Sequence, residues 1–405
     1  MRTISSVKFF QILDSRGFPT IEVQITDNLN NKFNACAPSG ASTGIREVIE
    51  LRDKKEGYFS GKSVETLLDL EEKINSILVN QPLESHFHLD KILLDYDQTT
   101  QKNMLGGNLF TALTFCFLKA CAGEKEVFEY LGGKKDIPRP FVNIINGGKH
   151  AGNNLQIQEF MIVPAKSDIN QMLNNICNVY HNLKKIISKR FGPEQTSIGD
   201  EGGYAPNLNT PEEALDLIMD AIKASNLVPG KDMYLALDCA ASEFYKEKYE
   251  VEVDKFLDAD ELVKYYENLC EKYPIISIED PFEECDFEAW KKFTELMGDK
   301  IMIVGDDLFT TSPEYVKKGI ENNWANSLLV KVNQIGTYTE AKEAMDMIKQ
   351  NSGKNIVSHR SGETNDDVIV DIAVGYGAEF LKIGAPCRGE RISKYNRLWK
   401  IYTSL

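Results

Sequence analysis

Six apolar stretches in the second half of the chain each stop at, or just before, a charged or metal-competent side chain. Tyr234–Leu237 runs into Asp238, Ile275–Ile278 into Glu279, and Ile301–Gly305 into Asp306. The series continues with Ser327–Val330 before Lys331, Ile356–Ser358 before His359 and Arg360, and Glu379–Leu381 before Lys382. Spacings of 23 to 41 residues leave room for a helix between most neighbours. Strands alternating with helices at this pitch predict βα units. In a barrel of such units, active-site groups come from the C-terminal ends of several strands. An acidic residue after a strand also suits the N-cap of the next helix, but capping selects Asp, Asn, Ser and Thr, not Lys. It does not account for the whole series.

The first half follows other periods. Pro19–Thr26 alternates apolar and polar residues as a half-buried strand does, and residues 4–37 are expected to form a small antiparallel sheet. From Val64 to Tyr130 the period is helical, with Leu67, Leu70, Ile74 and Ile77 on one stripe. Leu131–Pro140 concentrates Gly, Pro and charge, which suits a domain junction. Beyond it, Phe141–Ile145 and Phe160–Val163 read as strands, followed by a long helix near Ile169–Arg190 and another from Pro211. The predicted fold class is α/β. Residues 131–405 would form a modified TIM-type (β/α)8 barrel, and residues 1–130 an α+β N-terminal capping domain.

Composition narrows the function. The chain has 405 residues, 42% hydrophobic and 26% charged, as in an ordinary globular protein. No run approaches the ~18 apolar residues of a membrane span, and the first residues lack the apolar core of a signal peptide. Eight cysteines are scattered without a C-x-x-C pair, which favours free thiols and a cytoplasmic setting. A net charge of −15 argues against nucleic acid as a partner. An anionic substrate then requires bound cations and a few placed Lys and Arg to reverse the sign locally.

Several loops carry candidate chemistry. Ala37–Gly44 is a small-residue turn, too short and too poor in lysine to cradle a nucleotide phosphate. Gly57–Ser63 has three residues between its glycines where a phosphate-binding loop needs four, so a nucleotide site is discarded. Asn143–Asn154 encloses His150 and leads to Gln158 and Glu159. Gly199–Pro206 sets Asp200 and Glu201 in a glycine-flanked turn, where glycine allows close approach to a ligand. His86 and His88 lie on an acidic helix and are expected to be surface histidines. Asp238, Glu279 and Asp306 form an all-oxygen set that suits a hard cation such as Mg²⁺ rather than a thiolate-seeking metal.

Taken together and in order, these segments resemble the enolase family. The likeness runs from Asp14-Ser-Arg-Gly17 to Ala385-Pro-Cys-Arg388. It includes Ser39–Gly44, His150-Ala-Gly152, Gln158-Glu-Phe160, Gly199–Gly203, Ser277–Pro281, Gly305–Leu308, Lys331–Gly336 and Ser358–Thr364.

The resemblance implies reversible dehydration of 2-phosphoglycerate to phosphoenolpyruvate. It assigns Lys331 as base for the C2 proton, its pKa lowered by Lys382 and the metals, and Glu201 as acid on the 3-hydroxyl with Glu159 beside it. His150 would sit on a closing loop. Asp238, Glu279 and Asp306 would hold one Mg²⁺, and Ser42 would complete a second that arrives with substrate. Gln158, His359, Arg360, Ser361 and Lys382 would contact the substrate, Arg360 and Ser361 at its phosphate. The resemblance also implies a homodimer, although Phe10 and Lys400 stand where relatives often carry interface arginines. Lys149 and Ile383 depart from the family pattern beside the expected site. Two other readings stay open here: a superfamily enzyme acting on a different carboxylate, and a non-catalytic binding protein.

Overall fold

The protein is described here from a computed structural model, which covers the chain except residues 42, 134, 135 and 405. Strands β1 (Ile4–Leu13), β2 (Pro19–Asp27) and β3 (Lys32–Cys36) form an antiparallel sheet in that order. The alternation in β2 puts Ile21, Val23 and Ile25 on one fully covered face. The cover is Gly107–Ala122, a helix apolar on nearly every side. Such a helix has no face for water, and its other side meets the barrel helices around residues 332–350.

His86 corrects a sequence expectation. It begins the helix His86–Tyr96 but is buried, with Nδ1 2.8 Å from the Tyr130 hydroxyl. Tyr130 lies 44 residues away, so the helix's acidic composition gave no sign of this burial. Burial, and then Lys342, push its pKa down to about 4. Between the unfolded value of about 6.5 and that level, only the unfolded chain takes up the proton, so acidification costs stability, up to about 3 kcal/mol. Asp90, raised to about 6 chiefly by burial, opposes this in part. His86→Gln should therefore lose less of its thermal midpoint than the parent between pH 7 and pH 4.5. Parallel melting curves for the two proteins would contradict the assignment.

The barrel opens with β4 (Arg139–Asn146), β5 (Glu159–Pro164) and β6 (Met233–Asp238). Next come β7 (Tyr245–Lys246), β8 (Lys248–Glu252) and β9 (Lys255–Leu257), a separate small sheet that the apolar pattern did not foretell. It fills the long interval after Asp238. The remaining strands are β10 (Ile275–Glu279), β11 (Met302–Gly305), β12 (Ser327–Val330), β13 (Lys354–Ser358) and β14 (Phe380–Lys382). The barrel closes in the order β4-β5-β6-β10-β11-β12-β13-β14. β5 alone runs antiparallel to its neighbours. The connection from β4 to β5 holds only the short turn Gly148–His150, too little for the crossover a parallel pair needs.

Phe141, Met161, Val163, Ala236, Val304, Leu329, Ile356 and Phe380 pack together inside the barrel. Strand side chains repeat their face every second residue. Two steps on from Ala236, Val304, Leu329 and Phe380 are Asp238, Asp306, Lys331 and Lys382, and Ile356 leads through Ser358 to Arg360. Glu159 instead precedes Met161, because β5 is reversed. The functional side chains thus continue the interior packing rows into the barrel mouth. A second, larger core lies between barrel and helices and extends without a break into the N-terminal sheet.

The N-terminal region sits over that mouth. Ser39 and Gly362 exchange backbone hydrogen bonds at 2.8 and 2.9 Å, and Val48 N donates to Gln334 O at 2.9 Å. Lys119 pairs with Asp366 at 2.9 Å. Among the described residues, no helix is long and apolar enough to cross a membrane.

Candidate active site

One buried chamber at the barrel mouth is lined by His150, Gln158, Glu159, Glu201, Asp238, Asp306, Lys331, His359, Arg360, Ser361 and Lys382. Glu279 joins them through Lys382. Of the residues predicted from sequence, only Ser42 lies outside the described residues; its neighbours Gly40 and Ala41 line the chamber. Lys149 and Ile383 do not reach in. Lys149 pairs with Glu243 on the surface, at 2.5 Å, and Ile383 is buried in the outer core.

The three candidate metal carboxylates gather on two lysines. Lys382 Nζ donates to Asp238 Oδ2 at 2.9 Å and to both Glu279 oxygens at 2.8 and 2.9 Å, and lies 3.3 Å from Glu159 Oε2. Lys331 Nζ donates to Asp306 Oδ2 at 2.5 Å. Burial works to lower the Lys331 ammonium, but Asp306 overrides it and holds the group above the ordinary lysine range. The nearest charge is a carboxylate at hydrogen-bond distance, and the opposing push from Arg360 and Lys382 is smaller, so Lys382 alone does not supply the lowering expected of this base and bound metal would have to add to it. Burial likewise lowers Lys382, and Asp238, Glu159 and Glu279 raise it well above its usual range.

Negative charge is in excess. Glu159, Glu201, Asp238, Glu279, Asp280, Asp306 and Asp307 crowd around Lys331 and Lys382, while Arg360 is already paired with Glu47. Burial, then Asp238, push Glu279 well above the carboxylate range. Burial, then Asp306, do the same for Asp307. Two groups, Asp280/Asp306/Asp307 and His150/Glu159/Glu201, place their ligand atoms within 4.8 Å of one another, close enough to hold a metal ion. Oxygen donors in excess over local cations fit a hard divalent ion. Such an ion would relieve the repulsion that the two lysines only partly offset.

The second carboxyl pair has a different setting. Glu201 sits in a turn whose flanking glycines meet Asn146: a Cβ on Gly199 would lie 2.2 Å from Asn146 Nδ2, and one on Gly203 2.2 Å from its Oδ1. Only glycine lets this turn close against β4. Asn143 Nδ2 donates to Glu201 Oε2 at 3.2 Å, and His359 Nε2 lies 3.3 Å from the same oxygen. Arg391 donates to His359 Nδ1 at 2.7 Å, and a guanidinium cannot accept, so the imidazole proton resides on Nε2, facing Glu201. Burial keeps this ring neutral, with its pKa down to about 4. Its N–H dipole, rather than a full charge, therefore favours the Glu201 carboxylate.

Burial, then Glu201, push Glu159 well above its usual range. Burial would raise Glu201 too, but His359 and His150 hold it well below. Burial and mutual repulsion thus favour the neutral form at Glu159 and the carboxylate at Glu201. Like charges this close do not both ionise in a dry site. His150 Nδ1, 3.5 Å from Glu159 Oε1, completes the group.

Several site residues gave no clear signal in the sequence. Glu47 takes both terminal nitrogens of Arg360, at 3.1 and 3.2 Å. Gln334 donates to Asp306 Oδ1 at 2.7 Å. Arg391, fully buried, ties His359 to the carbonyls of Arg360 and Ser361 at 2.7 Å each. Asp280 accepts from the backbone of Asp306 and Asp307 at 2.8 Å each and fixes the turn after β11. Gln334 and Asp280 lie inside motifs already singled out; Glu47 and Arg391 look like ordinary surface charges.

Residues 4–131 match the family model of the enolase N-terminal domain, and residues 134–405 that of the enolase C-terminal TIM barrel domain. With a closed eight-stranded barrel, strand-end carboxylates and lysines in one chamber, and both domain models matched, the chain belongs to the enolase family.

Proposed function

We propose that the protein is a glycolytic, cytoplasmic enolase that reversibly dehydrates 2-phosphoglycerate to phosphoenolpyruvate. The observation that carries this reading is the meeting of a lysine pair, two adjoining carboxyls and an arginine in one buried chamber. Dehydration needs those parts: a base for C2, an acid for the leaving hydroxyl, and a cation for the phosphate.

Lys331 takes the C2 proton once it is neutral. Mg²⁺ held by Asp238, Glu279 and Asp306, with a second ion arriving with substrate and completed by Ser42, would stabilise the extra negative charge on the substrate carboxylate. Lys382 and Gln158 hold that end of the substrate. The Glu159–Glu201 pair delivers a proton to the departing 3-hydroxyl, with His150 and His359 fixing its orientation. Arg360 offers a planar fork to phosphate oxygens, with Ser361 beside it.

The alternative of a superfamily enzyme acting on an unphosphorylated acid is separable by substrate comparison. Glycerate lacks the group Arg360 binds, so kcat/KM should fall by about 10³-fold or more against 2-phosphoglycerate, since unpaired buried polar groups are costly. Equal turnover of the two would favour the alternative.

The proposal includes a homodimer. Phe10 and Glu22 are register partners on β1 and β2, Phe10 is 40% exposed, and Glu22 accepts long bonds from Asn34 and Cys36, at 3.3 and 3.5 Å. Lys400 is exposed and replaces a bidentate arginine by a point charge. Pairing through it should be screened by salt. Sedimentation is expected to show a dimer that loosens at high salt; a monomer at micromolar concentration in low salt would refute it.

A further inference from the structure

Glu47 comes from the capping region, yet its carboxylate is buried among barrel residues at 9% exposure. Its two oxygens accept from Arg360 Nη1 and Nη2 at 3.1 and 3.2 Å. Oε1 also accepts from Gln334 Nε2 and from the backbone N of Gly44, each at 3.3 Å. Gln334 Nε2 donates onward to Asp306 Oδ1 at 2.7 Å, and Gln334 Oε1 accepts from the Thr311 hydroxyl at 2.8 Å. That hydroxyl accepts from Lys331 N at 2.9 Å. One carboxylate therefore holds the arginine, the loop backbone at Gly44 and the amide that orients Asp306.

A structural salt bridge would not need these further contacts. Fold stability at this loop has a separate anchor in Arg46. Its Nη1 pairs with Glu284 at 3.0 Å, and its guanidinium carbon lies 4.6 Å from the Tyr315 ring centroid. Two adjacent residues thus divide the work, Arg46 fastening the loop outside and Glu47 reaching inward.

We infer that Glu47 is a positioning residue that makes three elements act as one clasp: Arg360, the backbone at Gly44, and the Gln334–Asp306 pair. The inference rests on the proposal that Arg360 binds the substrate phosphate. Phosphate that engages the arginine then tightens the contacts that the shared carboxylate already makes to the Gly44 backbone and Gln334. Without Glu47, phosphate still meets a cation, but its arrival no longer steadies the Gly44 backbone or Asp306. Interactions that serve the reacting state rather than substrate binding show in kcat more than in KM.

The test is Glu47→Gln in the full-length enzyme, with kcat, KM and amide hydrogen exchange of the 39–47 segment measured together. Glutamine keeps the size and leaves Arg360 with its charge. We expect kcat to fall about tenfold or more while KM changes less than about threefold. In the parent, inorganic phosphate with Mg²⁺ should slow exchange at Gly44; in the variant it should not. Glu47→Asp, which retains the charge at a shorter reach, should recover part of the lost kcat. A kcat within about twofold of the parent, or a raised KM with kcat unchanged, would overturn the inference. Arg360→Lys reports separately on the underlying proposal. If it leaves KM for 2-phosphoglycerate and phosphate protection at Gly44 unaltered, Arg360 is not the phosphate site, whatever Glu47 does.

Discussion

Lys331→Ala is expected to abolish both product formation and exchange of the C2 hydrogen of 2-phosphoglycerate with solvent deuterium. The loss should be about 10²–10⁴-fold, the usual contribution of one positioned base. Lys331 reaches the chamber from the end of β12, and its Nζ is held at 2.5 Å by Asp306. Glu201→Gln should behave differently. Glutamine keeps the contact with Asn143 but has no carboxyl proton to give. Dehydration should fall while C2 exchange persists, since Lys331 and the carboxylate side of the chamber are intact. Both variants should fold, because neither side chain belongs to the packed apolar cores. Exchange that survives in Lys331→Ala and vanishes in Glu201→Gln would exchange the two roles.

Metal removal should have an effect of similar size. Seven carboxyls around two lysines leave a buried excess of negative charge, and burial has already pushed Glu279 and Asp307 upward. A chelator should abolish activity, and Mg²⁺ should restore it. Stability gives a readout that needs no substrate. An ion that binds only the folded chain adds about 2.7 kcal/mol at a hundredfold excess over its Kd, so the thermal midpoint should rise with Mg²⁺. Asp306→Asn, which removes one charge from the group, should shrink that rise. Full activity in a verified metal-free preparation would contradict the metal assignment, as would a midpoint indifferent to Mg²⁺.

Much of this architecture is visible in the sequence because two periods coincide. Interior residues recur every second position along each strand, and the polar residue ending the run lies on the same face. Ala236 to Asp238, Val304 to Asp306 and Leu329 to Lys331 can all be read that way. Direction was not legible for β5. Phe160–Val163 is apolar throughout, and such a run reads alike in either sense; only the short preceding connection fixes it.

The β7–β9 sheet escaped for a related reason. Its segments are two to five residues long and rich in Lys and Glu, so no apolar run announces them. Glu47 and Arg391 were hidden by company. Glu47 lies among Arg46, Glu50 and Arg52, and Arg391 beside Glu390 and Lys394 on the last helix. Charges in such runs usually face water. These two are buried because their partners, Arg360 and His359, arrive from strands far away in the chain. Tertiary pairing of that kind leaves no local trace. The pull of Asp306 on Lys331 was hidden on the same ground, since Asp306 follows the adjacent strand β11.

The measurement that bears most directly on the central claim is an absorbance assay for phosphoenolpyruvate, with purified protein, 2-phosphoglycerate and added Mg²⁺. The account predicts Mg²⁺-dependent appearance of phosphoenolpyruvate, and its consumption when the reaction is started from that side. A folded protein, loaded with Mg²⁺, that forms no phosphoenolpyruvate from 2-phosphoglycerate would contradict it.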